Sequence, residues 1–115
     1  MPPPMTTHDV DLAQMRASAG AAARLLKALA NEHRLLVLCH LLEGERSVGQ
    51  LNAELDLSQS ALSQHLAVLR EDGLVATRRE SQTIYYRVAS AAIATILGAL
   101  QGIYCAPAAA PKSGE

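Results

Sequence analysis

The sequence predicts a mainly α-helical chain with one small β-hairpin, in the order α-α-α-α-β-β-α. Three observations predict it. Half of the 115 residues are hydrophobic, Phe and Trp are absent and Tyr occurs only three times. With Ala and Leu supplying much of that half, such a composition favours helices and disfavours an all-β fold. Apolar residues recur at helical spacing over most of the chain. From Val75 the period changes to alternation, and after Val88 helical spacing returns.

The elements follow in order. Leu12, Met15, Ala19, Ala22, Leu26 and Leu29 are spaced 3-4-3-4-3, a seam that places the first helix at about 10–29. Asn31 can N-cap a second helix, with Leu35, Leu36, Leu38, Cys39 and Leu42 expected inward and Gly44 ending it. Ser47-Val48-Gly49-Gln50 reads as a capping box for a short third helix, about 48–54, with Leu51 and Leu55 inward. Ser58 is a cap candidate for a fourth helix that runs to Asp72, buries Leu62, Leu66 and Leu69, and stops at Gly73. Two alternating runs separated by Glu80-Ser81-Gln82 form the hairpin. The fifth helix, about 89–104, carries Ile93, Ile96, Leu97, Leu100, Ile103 and Tyr104 on one stripe, and Pro107 stops it. Residues 1–9 and 106–115 are Pro-rich and expected to be disordered tails, so 10–105 is one domain.

Ten Lys and Arg against eleven Asp and Glu give a net charge of −1. This excludes a bulk polycation and an acidic disordered chain, so any nucleic-acid contact must come from a local patch. The start has three prolines within Met1–His8 and no apolar run, unlike a signal peptide. The apolar stretch Leu35–Leu42 is too short to span a bilayer. A cytoplasmic protein is expected. No phosphate loop, nucleophile–base pair or carboxylate pair is recognisable, so an enzyme is not expected.

Two short helices joined by a tight turn and followed by a hairpin make a winged helix-turn-helix. On the fourth helix, Gln59, Ser60, Ser63, Gln64 and Ala67 share the face opposite Leu62, Leu66 and Leu69, with His65 at its edge. Gln can pair with adenine, Ser can meet bases or phosphates, and the Ser58 cap aims backbone N–H groups outward. The plain alternative is an ordinary solvated helix face. Arg78, Arg79 and Arg87 in the hairpin, with Gln82 near its tip, favour the DNA reading.

These residues carry a resemblance. Asn31-Glu32-His33-Arg34-Leu35, the block from Leu57 through Val75, and Ile84-Tyr85-Tyr86-Arg87-Val88 resemble the ArsR/SmtB family of bacterial repressors over about residues 20–105. The resemblance implies a winged-helix homodimer joined through the first and last helices. It also implies binding to double-stranded operator DNA at an imperfect inverted repeat, and release when an inducer binds. The family often has Gly at the wing turn, whereas this chain has Arg79-Glu80-Ser81-Gln82. Dimerisation is also expected from the residues, because one small domain cannot bury both the first-helix seam and the last-helix stripe.

Family metal sites do not carry over. The third-helix stretch Ser47–Asn52 has no Cys-x-Cys, and Ala89–Tyr104 contains no His, Asp or Glu. Of the histidines, His8 lies in the tail, His33 starts the second helix, and His40 points about 100° from Cys39. No metal and no cofactor are expected. Cys39 reads as lying on the buried face of the second helix, and Cys105 closes the fifth beside Ala94 and Gly98. Read alone, they are a core hydrophobe and a helix-end residue, or a thiol pair brought together where the two helices pack. The resemblance selects the second reading. Cysteines so placed resemble the persulfide- and redox-sensing branch of the family, in which two such thiols become linked by a disulfide or polysulfide bridge. This implies a repressor that releases DNA on that linkage, induced by reactive sulfur species or an oxidant. The rival expectation is a metal-responsive repressor with an atypical site.

Overall fold

The computed structural model describes residues 10–105; the expected tails, 1–9 and 106–115, lie outside the described residues. Helix α1 (Leu12–Leu29) starts at Asp11, whose carboxylate accepts from the Gln14 backbone N–H. Only its C-terminal end is buried, through Ala28 and Leu29. Leu12, Met15 and Leu26 remain exposed, so most of the apolar seam faces away from this chain's own core.

Helix α2 (Glu32–Glu43) is capped by Asn31, whose side-chain oxygen accepts from the N–H groups of His33 and Arg34. It buries Val37, Leu38 and Leu41. This corrects the expected face: of the five residues expected inward, only Leu38 is buried, Leu35 is half-buried, and Leu36, Cys39 and Leu42 are exposed. A helix that is apolar nearly all round from Leu35 to Leu42 offers several candidate stripes, and the core takes the one containing Val37.

A short strand β1 (Arg46–Ser47) precedes helix α3 (Val48–Glu54), whose capping box between Ser47 and Gln50 is complete in both directions. Helix α4 (Gln59–Glu71) begins at Ser58, whose Oγ accepts from Ala61 N–H, and buries Leu62, Leu66 and Leu69. Gly73 follows with φ +74°, the left-handed conformation that lets Leu74 N–H reach back to Leu69 O at 2.9 Å. Strands β2 (Val75–Glu80) and β3 (Thr83–Val88) form the hairpin. Its loop is two residues, Ser81-Gln82, one shorter than expected. Ser81 takes φ +59°, the conformation more often given to Gly. Helix α5 (Ala91–Tyr104) starts later than expected because Ser90 caps it, accepting from Ala92 N–H.

The sheet has three antiparallel strands in the order β1-β3-β2. The core joins all five helices to the sheet's inner face, and Val37, Leu38, Leu51, Leu62, Leu66, Leu69 and Ile93 are fully buried. Each such side chain contributes about 1.5–3 kcal/mol by leaving water. Helix α2 is central, packing against α1, α4, α5 and β3. No described helix is long and apolar enough to cross a membrane.

Candidate nucleic-acid interface and thiol pair

The α4 face is built by burial on its opposite side. Leu62, Leu66 and Leu69 anchor the helix in the core, which leaves Gln59, Ser60, Ser63, Gln64 and Ala67 exposed together. At the N-terminus, Ser58 is also exposed and its Oγ lies 3.4 Å from Ser60 Oγ. The turn before it is fixed by Asn52, whose side-chain amide donates to Leu57 O at 2.9 Å. The structure therefore brings Ser58, Gln59, Ser60, Ser63 and Gln64 onto one outward surface.

His65 does not join them. It is half-buried and turned towards α2, with its ring centroid 5.7 Å from that of His33 and its Nδ1 3.4 Å from Arg34 Nη1. Burial, then the Arg34 charge, then His33 hold its pKa below the ordinary histidine value. Nδ1 thus faces a cation as an acceptor. The sequence reading places His65 among the DNA contacts; the structure packs it against α2, because position 65 lies on the flank of α4 that α2 covers.

Arg34 organises this junction. Its Nε donates to Ala28 O at 2.6 Å and its Nη2 to Lys27 O at 3.4 Å, so one guanidinium caps the end of α1 while touching α4. Nothing in the sequence signalled this, since both acceptors are backbone carbonyls.

The hairpin arginines do not form the single cluster expected. Residues alternate sides along a strand, and the register pairs Arg78 with Tyr85, Arg79 with Ile84 and Ala76 with Arg87. Arg78 and Arg87 therefore share the outer face, and Arg79 lies on the other, with Thr77 and Tyr86. Arg78 is held firmly. Its Nε lies 2.9 Å from both carboxylate oxygens of Glu45, its Nη1 is 3.1 Å from Glu80 Oε1, and its guanidinium stacks 4.6 Å from the Tyr85 ring centre. Arg79 and Arg87 are exposed, and Gln82 sits exposed in the turn.

A cleft between α4 and the wing is lined by Ser63, Ala67, Arg70, Glu71 and Tyr86. Arg70 is absent from the residues that the sequence singles out. Its signal is present all the same: Ser63, Ala67 and Arg70 continue the 4-3 spacing of the polar face, one turn beyond Ala67.

Both cysteines are free and exposed. This corrects the expectation of a buried Cys39. It lies on the α2 face that the core leaves open, with Leu36 and Leu42. Cys105 is the C-cap of α5, and α5 packs against α2. Partial burial, the charge of Cys105 and that of Glu43 push the Cys39 thiol up from its usual value. His40 leaves the pair, its Nδ1 lying 3.0 Å from Glu54 Oε1. Among the described residues, no three His, Cys, Asp or Glu side chains are grouped to hold a metal.

Residues 31–77 match the family described as "Bacterial regulatory protein, arsR family". The chain is 51% identical over 96 residues to the transcriptional activator HlyU of Vibrio cholerae, covering 84% of this chain and 89% of that protein. It is 47% identical over 104 residues to the biofilm growth-associated repressor of Agrobacterium fabrum, covering 90% and 89%. Among solved structures, the transcriptional repressor BigR from Xylella fastidiosa is similar with a TM-score of 0.80 at 43% identity, over 85% of this chain and all of that one. Reduced HlyU from Vibrio cholerae is similar with a TM-score of 0.74 at 52% identity, over 80% and 97%.

Proposed function

The chain belongs to the ArsR family of bacterial regulatory proteins and is a DNA-binding transcriptional regulator rather than an enzyme; from that premise we propose that it is a homodimeric repressor that releases its operator when Cys39 and Cys105 become linked. The observation that supports this reading is the position of two free, exposed thiols, one on α2 and one at the end of α5, helices that pack against each other. That one relative is described in its reduced form supports a regulator whose redox state matters.

The chemistry balances without a metal. A persulfide RS–SH transfers its outer sulfur to the Cys39 thiolate, giving Cys39–S–SH and RS⁻. The Cys105 thiolate attacks the inner sulfur, forming the disulfide and expelling HS⁻. If both residues are persulfidated, attack of one on the other's inner sulfur leaves a trisulfide and again expels HS⁻. Because burial and neighbouring negative charge disfavour the Cys39 thiolate, its exposure overstates its reactivity near neutral pH.

DNA is read by Gln59, Ser60, Ser63 and Gln64 on α4, with Ser58 at the helix start. Arg79, Arg87, Arg70 and Gln82 supply backbone contacts. The exposed faces of α1 and α5, including Leu12, Met15, Leu26, Ile103 and Tyr104, form the dimer interface. The test combines mass spectrometry with operator binding after persulfide treatment. Wild type gains a bridged species and releases DNA, whereas Cys39→Ser and Cys105→Ser bind as reduced wild type does and stay bound. Release of DNA by either single variant would refute the linkage.

A further inference from the structure

An ion cluster lies on the outer face of the wing. Glu45 lies in the connection between α2 and β1, remote in sequence from the hairpin. Yet it delivers both carboxylate oxygens to Arg78 Nε at 2.9 Å, while Glu80 takes Nη1. Glu45 is 29% exposed and Arg78 45% exposed at the side chain, so the pair sits at the surface and not in the core. Exposed pairs contribute little to stability. Their effect on local charge is larger. Arg78 and Arg87 would give this face two positive charges, and Glu45 and Glu80 cancel both. The Glu45 carboxyl is held below its ordinary pKa, first by its hydrogen bond to Arg78, and Arg87 also contributes, so this carboxylate lies within reach of both cations.

We propose that Glu45 is an affinity-setting residue that masks Arg78 of the wing, competing with DNA phosphate for that guanidinium. The proposal rests on the reading that the wing touches DNA. A phosphate approaching Arg78 meets a guanidinium already committed to two carboxylates and stacked on Tyr85. It must displace Glu45 or accept the repulsion of its charge. The mask lowers affinity for all sequences equally, because phosphate contacts carry no sequence information. It thereby leaves discrimination to the α4 face.

The experiment measures binding of the full chain to a labelled random-sequence duplex as a function of salt, for wild type, Glu45→Gln, Arg78→Ala and the double variant. Glu45→Gln preserves shape and removes the charge. It is expected to tighten binding and steepen the salt dependence. Neutralising one further phosphate per wing adds about 1.8 to the slope of a dimer, and so about a tenfold change in relative affinity over a fourfold change in salt. In the Arg78→Ala background the same substitution is expected to do far less. Unchanged or weakened binding in Glu45→Gln overturns the mask and makes Glu45 a strut for the wing. Equal tightening with and without Arg78 also overturns it, leaving net charge alone as the cause. If Arg79→Ala and Arg87→Ala both bind as wild type does, the wing contact itself falls, and the mask with it. Thermal unfolding of each variant at one protein concentration confirms that the comparison is between folded chains.

Discussion

Replacing Arg34 with Ala tests how the end of α1 is tied to the helix that presents the polar face. The substitution removes a 2.6 Å bond from Nε to Ala28 O, a weaker 3.4 Å interaction with Lys27 O, and the 3.4 Å approach to His65 Nδ1. The short bond from a charged donor to a carbonyl is worth about 1.5–3 kcal/mol. The two long interactions add little, and the loss of a cation at the end of α1 costs about 0.3–1 kcal/mol. A destabilisation of about 2–4 kcal/mol is expected from these contributions, read by urea unfolding at one fixed protein concentration. Arg34→Lys should fall between, since an ammonium keeps the charge but cannot reach both α1 and His65 as a fork does. A second readout is independent of stability. Arg34 is one of the charges that depress the His65 pKa, so in Arg34→Ala the His65 resonance should titrate at higher pH. Unfolding within about 0.5 kcal/mol of wild type, the range of an ordinary surface substitution, together with an unmoved His65 titration, would refute the reasoning.

Because the His65 pKa is depressed in the folded chain, its contribution to stability is present above pH 6.5 and lost as pH falls below it; His65→Gln should flatten that part of the stability–pH profile, measured by unfolding across the range. Gln64→Ala should cost about 1–3 kcal/mol at the operator and less on random DNA, and equal losses on both would exclude base reading by Gln64. Cys105→Ser and Glu43→Gln should each lower the pKa of Cys39 by removing a negative neighbour, seen as an alkylation–pH profile displaced to lower pH. Sedimentation should show a dimer at micromolar concentration, and Leu26→Glu on the exposed seam should shift it towards monomer.

Capping residues and helix periods made most of the fold legible. Asn31, Ser47, Ser58 and Gly73 each do at their helix end what their type and position implied. Failures arose where local pattern carried no information. Strand β1 is two residues long, too short for any period, and exists only because β3 pairs with it. Periodicity points to the wrong face of α2 because its apolar run offers more than one stripe, and only packing against α4 and α5 decides between them. Of the two partners of Arg78, Glu80 is two positions along the same strand, whereas Glu45 is 33 positions away and invisible to local pattern. The α4 face was legible because its opposite side carries a clean Leu62-Leu66-Leu69 stripe, so amphipathicity fixed both sides at once.

The exposed setting of Cys39 strengthens the case for a transmitted signal. A buried thiol could be bridged only after local unfolding, which would uncouple the chemistry from the native arrangement. On the open side of α2, the proposed bridge to the end of α5 leaves Val37, Leu38 and Leu41 packed in the core. Helix α2 then moves as a body or not at all, since a close-packed core does not absorb strain gradually. The same helix carries Arg34, which grips the end of α1 and touches α4 through His65. Under the proposed linkage, a displacement at Cys39 reaches the α1 end through Arg34 and the flank of α4 through Arg34 and His65. The required energy is modest. A coupling of about 1–3 kcal/mol changes affinity roughly 5–150-fold, comparable to the contribution expected from the Arg34 junction alone.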